Sequence, residues 1–314
     1  MDGAAAETDE RPLGSSLWPR SSNSHSPGVL QAPPAEVLFF DSVLSGPMAP
    51  SSSPSLAPAP SPSPAPPTTI DEVIQQANDI IDQSLRNPSR IGYFTALYER
   101  VTVNVRRALI AGNVFQDNAR MARLDVVFAS RFLAAWNTWS SGGTPTKSWK
   151  MAFDALDQDS PLVLQHLLLG MNAHINLDLG IAAATVAPGP QLAALKEDFH
   201  RINALLSRLV AVIEVELGEV SPRLKRLEAI SPDGENAVFN FAMDAAREGA
   251  WLLAEILAPL PQEKWGPLIE THDQVVADLG KLILHPGALA EGLIAWIREA
   301  ESKDVAYNIQ VTGG

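Results

Sequence analysis

The residues with the strongest claim to chemistry lie in the ten-residue segment Gly170-Met171-Asn172-Ala173-His174-Ile175-Asn176-Leu177-Asp178-Leu179, where two amides, an imidazole and a carboxylate interrupt a run of aliphatic residues. Burying such groups without partners costs on the order of 1–3 kcal/mol each, so they need either internal hydrogen bonds or a ligand. At about 100° per helical residue, His166, Gly170, His174 and Asp178 share one line, and Gln165, Asn172 and Asn176 gather on another face. A His and an Asp at i and i+4 can hold one water between them or bind one divalent metal ion. His174 then serves as ligand or general acid/base, with Asp178 as second ligand or as the group that orients the imidazole. Gly170, in the same stripe, would let a ligand approach the backbone.

Further polar groups are available from neighbouring elements. Asp198 and Asn203 fall on or beside the apolar face Leu195, Phe199, Ile202 and Leu206, while Asp125 and Arg131 flank Val126 to Ser130. Arg131 is the cation available to Asp178 or Asp198. The candidate catalytic set is therefore His174, Asp178 and Asp198, with Asn172, Asn176, Asn203 and Asp125 as substrate-binding candidates and His174 with Asp178 as metal ligands. The catalytic reading requires the carboxylates of Asp125, Asp178 and Asp198 to converge on the His174 ring. The competing reading is structural, because buried Asn, His and Asp also tie helices together, and His166 reads as a core histidine. His272-Asp273 is the dipeptide of helical metal-dependent phosphohydrolases, without the other ligands such a site needs.

The elements that must position these groups are all helical. Thr69 reads as an N-cap before Ile70, Val73, Ile74, Ala77, Ile80 and Ile81 at helical spacing, and Asn87-Pro88 ends that helix. A second helix carries Tyr93 through Leu109 up to Gly112, and a third runs from Asn118 to Trp139. A shorter one holds Trp149, Phe153 and Leu156. Leu162 to Ala184 is apolar on nearly every face, as a central helix must be, although Gln165 and His166 interrupt its apolar start. A long amphipathic helix to about Leu217 follows, then one after Ser231-Pro232-Asp233-Gly234 through Leu257, then two or three more. There is no alternating strand pattern and no fixed repeat. The expected fold is all-α, a single multi-helix bundle over residues 69–314 around a buried central helix.

Residues 1–68 hold more than half of the 25 prolines, and the Pro/Ala/Ser run 54–67 has no face to bury. This leader is expected to be disordered, with Val37-Leu38-Phe39-Phe40 as an apolar island that could dock on the domain or on a protein partner. The formal charge of −13 and the lack of clustered Lys and Arg argue against nucleic acid and anionic membrane surfaces as partners. Zero cysteines removes thiolate chemistry and disulfides and fits a reducing compartment, here the cytoplasm. The first twenty residues lack a basic start and an apolar core, so no secretion signal is read, and no membrane insertion is expected.

The central motif resembles an all-helical family catalogued as a domain of unknown function. Arg123-Leu124-Asp125-Val126-Val127-Phe128-Ala129, Asp198-Phe199-His200-Arg201-Ile202-Asn203 and Ala246-Arg247-Glu248-Gly249-Ala250-Trp251 add to the resemblance, which spans Ile70 to Val305. It implies a helical fold and a shared polar centre of His174, Asn172, Asn176, Asp178, Asp125 and Asp198, and implies no activity. From the residues, the leading function is an enzyme acting on a small, largely apolar molecule. A non-catalytic helical binding or scaffold protein is the alternative, and a metal-dependent phosphoesterase is a third.

Overall fold

Val163–Val186 forms one unbroken 24-residue helical column at the centre of the protein, long and apolar enough by composition to cross a membrane, yet without an exposed residue along its length. In the computed structural model, which describes residues 64–230 and 243–313, six other helices, from both before and after it in the chain, pack directly on this column. The expected apolar island at 37–40, most of the leader and the turn at Ser231 to Gly234 lie outside the described residues.

All regular secondary structure among the described residues is helical, with no strand. α1 (Ile70–Arg86) starts where expected: the Thr69 hydroxyl accepts from the Glu72 amide at 3.2 Å, with Asp71 and Glu72 in the first turn. Residues 64–68, assigned to the leader, are tied to that helix, since Gln76 donates to the Ala65 carbonyl and Thr68 to Glu72. α2 (Ile91–Ala111) ends on Gly112 at φ 75°, the left-handed stop that glycine adopts without steric cost. α3 (Asn118–Ser140) is capped by Asp117, and α4 (Lys147–Asp154) carries Trp149 and Phe153 inward.

The central column comprises α5 (Val163–Met171), a π-helical segment (Asn172–Leu179) and α6 (Gly180–Val186). α7 (Gln191–Val220) and α8 (Pro222–Ile230) follow. α9 (Met243–Leu257), a single 3-10 turn (Gln262–Lys264), α10 (Trp265–Leu284), α11 (Ala288–Arg298) and α12 (Val305–Gly313) complete the chain. The π segment packs on α3, α4, α9 and α10, and α6 crosses α9 so closely that a Cβ on Gly180 would lie 2.6 Å from the Ala250 carbonyl oxygen.

Three buried carboxylates cap helices from a distance. Asp198 of α7 accepts from the Gln116 and Asp117 amides and from Arg120 at the start of α3. Asp273 of α10 accepts from the Lys147 and Ser148 amides and the Ser148 hydroxyl at the start of α4. Glu301 accepts from the Val163 amide at the start of α5, with Ser221 and Arg298 as further donors. A helix N-terminus offers unpaired amides and a positive dipole end, so a carboxylate there is satisfied despite burial and locks two distant segments together.

Candidate functional site

The defining local feature of the central motif is its backbone. Asn172 to Leu179 are π-helical, a rare conformation often found at functional sites, where the 3.6-residue spacing alone predicts an ordinary α-helix. His174 and Asp178 nevertheless remain partners: His174 Nδ1 lies 3.4 Å from Asp178 Oδ2. Asp178 also accepts from Arg131 Nε at 2.7 Å through Oδ1 and from the Trp149 indole N–H at 2.8 Å through Oδ2. Burial pushes the Asp178 carboxyl up, but the Arg131 charge, His174 and the indole outweigh it and hold it below its ordinary value. Asp178 is therefore a carboxylate. As an acceptor it draws the imidazole proton to Nδ1, which leaves Nε2 as a lone-pair acceptor.

The ring of His174 sits in an aromatic box. Phe128 stacks on it with centroids 3.6 Å apart and planes 7° from parallel. Tyr98 stands edge-on at 4.8 Å, and Phe94, Phe132 and Trp149 complete the enclosure at 5.8, 6.1 and 6.0 Å. Four of these five rings are buried; Phe128 is partly exposed and is the wall nearest solvent. Burial depresses the His174 pKa and Asp178 only partly restores it, so the imidazole is neutral near pH 7.

His174 Nε2, the Tyr98 hydroxyl and Asp125 Oδ2 are buried; the imidazole nitrogen and the carboxyl oxygen have no hydrogen-bond partner among the described residues, while the Thr102 side chain acts on the phenol as a hydrogen-bond partner. Asp125 precedes Phe128 by one helical turn, and its charge acts on Tyr98. Burial raises the Asp125 carboxyl from 3.8 to about 7 and the Tyr98 phenol well above 10. Near pH 7 the phenol keeps its proton and the Asp125 carboxyl is protonated in part.

The other sequence candidates go elsewhere. Asp198, expected to converge on His174, is committed to the start of α3; burial raises its pKa, and the two amides and Arg120 reverse that and hold it low. Asn203 accepts from Arg247, whose guanidinium also lies 4.5 Å from the Phe199 ring. Asn172 donates to the Val276 carbonyl at 2.8 Å and accepts from Asn176 at 2.9 Å. Gln165 donates to Ile283 O, and the Asn176 carbonyl accepts from His272 Nε2 at 2.8 Å. Gln165, Asn172 and Asn176 thus pair with 283, 276 and 272, steps of seven and four on both sides, a ladder between two antiparallel helices. The gap at Gly170 admits no ligand, because the Phe94 ring fills it, 2.5 Å from where a Cβ would stand.

The expected metal ligands His174 and Asp178 lie side by side and already engage other partners. Both Asp178 oxygens are taken by nitrogen donors, and among the described residues no three His, Asp or Glu side chains cluster to hold an ion. His272 and Asp273 point to different partners rather than to one ion. Sequence reasoning missed their role: His272 holds a π-segment carbonyl and Asp273 caps the helix that presents Trp149 to Asp178. Trp149, Tyr98 and Phe128 fit the helical spacing of core aromatics, which hides that an indole or phenol needs a partner when buried. A separate surface cleft of about 360 Å³, lined by Leu192, Lys196, Trp251 and Glu255 among others, contains none of the candidate residues.

Residues 70–286, the larger part of the chain and all of this site, match the profile of a family of unknown function, DUF5995. The chain belongs to that family. The match covers α1 through α10, so the buried polar centre lies wholly inside the family's unit, while α11 and α12 lie beyond it. No curated protein and no solved structure gives a significant match.

Proposed function

We propose that this member of DUF5995 is an enzyme acting on a small, largely apolar molecule, with His174 as general acid/base and Asp178 orienting it. One observation carries the reading: the buried imidazole has one nitrogen beside a carboxylate and the other without a hydrogen-bond partner among the described residues. A carboxylate on one side and a reacting proton on the other is how an imidazole is prepared for proton transfer. Leaving that nitrogen unpaired costs on the order of 1–3 kcal/mol, which a ligand in the box would relieve. Asp198 takes no part, so the reading rests on His174 and Asp178 without the three-carboxylate convergence expected from the sequence. The cytoplasm is the proposed location.

A thermal-shift screen of small apolar hydroxy and carbonyl compounds tests this on wild type and His174→Gln. Compounds that stabilise wild type and lose their effect in the variant are expected. Equal responses of the two proteins across the screen would remove the catalytic reading.

A scaffold role is the second reading, favoured by the amide ladder between the central column and α10. It accounts for Gln165, Asn172 and Asn176, and leaves His174 Nε2 and Asp125 unexplained. The phosphoesterase alternative has no supporting geometry.

A further inference from the structure

We infer that the surface cleft between the start of α7 and the end of α9 binds a small zwitterion, an α-amino acid with an apolar side chain, its carboxylate on Lys196 and its ammonium on Glu255. The cleft measures about 360 Å³; Leu192, Ala258 and Pro259 give it apolar walls, and Lys196, Trp251 and Glu255 bring polar groups to it. That volume is at the small end of the range for ligand pockets, which suits a free amino acid rather than a long peptide. The cleft shares no residue with the His174 box, so this inference stands apart from the acid/base reading.

Trp251 fixes the geometry. Its side chain is buried against Phe199, with ring centroids 5.0 Å apart, and its indole N–H donates to Glu255 Oε1 at 2.7 Å. The Lys196 ammonium stands over the same ring, 5.7 Å from its centroid. A carboxylate is thus held at the edge of a rigid plane and a cation over its face. At one end of the cleft the Gly189 amide donates to the Ala258 carbonyl at 2.7 Å, which ties the two walls together.

Lys196 and Glu255 face one cleft without forming an ion pair with each other, and other groups of opposite charge are engaged elsewhere. Glu197, beside Lys196 in the chain, pairs with Arg201 at 2.5 Å, and Glu248 on the facing helix stands 3.4 Å from His200. A simple carboxylate on Lys196 would meet Glu255 as a like charge and enter a chain of net charge −13, while a simple amine on Glu255 would meet Lys196. A zwitterion satisfies both ends and brings no net charge. Its two charged groups share one carbon, so a charge-assisted hydrogen bond of about 2.8 Å at each end joins a cation and a carboxylate that do not reach each other. The apolar side chain then leaves water for the surface of Leu192, Ala258 and Pro259.

Titration calorimetry of the full chain with L-phenylalanine, 3-phenylpropionate and phenethylamine tests this, because the three share one skeleton and differ in which charges they carry. Phenylalanine is expected to bind at least tenfold more tightly than either analogue. Lys196→Met, which keeps the apolar stem, and Glu255→Gln, which keeps an acceptor for the indole N–H, should each weaken phenylalanine binding at least tenfold. Both side chains are exposed, so neither change disturbs the core. Similar affinity for all three compounds would mean that the apolar walls alone are recognised, and tightest binding of an analogue would mean that one charge suffices; either result overturns the inference. So does phenylalanine binding that both variants retain, or binding of none of the three.

Discussion

Phe128 lies flat on His174, with 3.6 Å between ring centroids, and is the partly exposed member of an otherwise buried aromatic box. Removing that ring should uncover the imidazole without disturbing its carboxylate. Phe128→Ala is expected to make His174 reactive toward diethyl pyrocarbonate, at least tenfold faster than in wild type, with a stability cost of about 2–3 kcal/mol for a partly buried phenylalanine. Mass spectrometry of the modified peptide reads the rate. An unchanged rate would mean that the remaining rings close over the site.

Asp178 holds three donors at once, and its loss should be felt by all of them. Asp178→Asn leaves Arg131 without its carboxylate and weakens the hold on His174, at an expected cost of about 3 kcal/mol in urea unfolding. Trp149→Phe removes the indole N–H contact and shrinks a fully buried side chain, and should cost about 1 kcal/mol for the lost hydrogen bond and about 1–3 kcal/mol for packing. Its pKa is depressed in the fold, so the Asp178 contribution is present above the ordinary carboxyl range and disappears as pH falls below it. A wild-type advantage over Asp178→Asn that persists unchanged into strong acid would contradict this.

His166 gives a second pH dependence, of separate origin. Both its ring nitrogens are buried and unpartnered, and burial lowers its pKa from 6.5 to about 3, with Arg90 and Arg298 adding to the shift. The unfolded chain therefore binds a proton that the folded chain refuses. Stability from this group is complete above pH 6.5 and falls by about 1.4 kcal/mol per pH unit as acid is added, down to about pH 3. His166→Phe, against the edge of Tyr93, should unfold at lower pH than wild type, and urea titrations at pH 7 and pH 4.5 measure the difference.

The helices were legible because each is delimited by local chemistry: Thr69 before α1, Pro88 after it, Gly112 after α2, Ser141-Gly142 after α3. α8 was not, since its nine residues carry four charges and no stripe long enough to betray a buried face. The π segment was hidden for a different reason. Its polar residues fit an α-helical wheel just as well, so periodicity alone cannot report a widened turn. His174 with Asp178, and Arg131 as the cation, could be read from spacing and charge. Asp198 could not be separated from them, because an acid on an apolar face looks the same whether it serves a reaction or caps a helix 82 residues away. Tyr98 and Phe128 matched the core pattern and revealed nothing of the buried hydroxyl or the stacked imidazole.

Gly170 offers a direct check on the packing around the box. A methyl group there would sit 2.5 Å from two carbons of Phe94, which itself stands 5.8 Å from His174 and 5.6 Å from Trp149. Gly170→Ala must push Phe94 aside, and overpacking of this kind costs about 1–3 kcal/mol, more than the fraction of a kcal/mol that alanine gains in helix propensity. A lower Tm together with a changed near-ultraviolet circular dichroism signal from Trp149 is expected. A stabilised variant with an unchanged signal would mean that Phe94 has room to move.

Asp273 reaches the site through two steps, which makes it a sensitive probe of how the site is held. It caps α4 through the Lys147 and Ser148 amides, α4 presents Trp149, and the Trp149 indole N–H bonds Asp178. Asp273→Ala strips the cap and leaves the Ser148 hydroxyl without its acceptor, so a cost of about 2 kcal/mol is expected, the upper part of the range for lost helix caps. Asp273→Asn keeps one oxygen acceptor and should recover about half of it. If the relay holds, both variants loosen His174 in the same order, visible as faster exchange of its Nδ1 proton. Loss of stability with no change at His174 would show that α4 is fixed by its apolar face, through Trp149 and Phe153, and that Asp273 closes a helix end without acting on the imidazole.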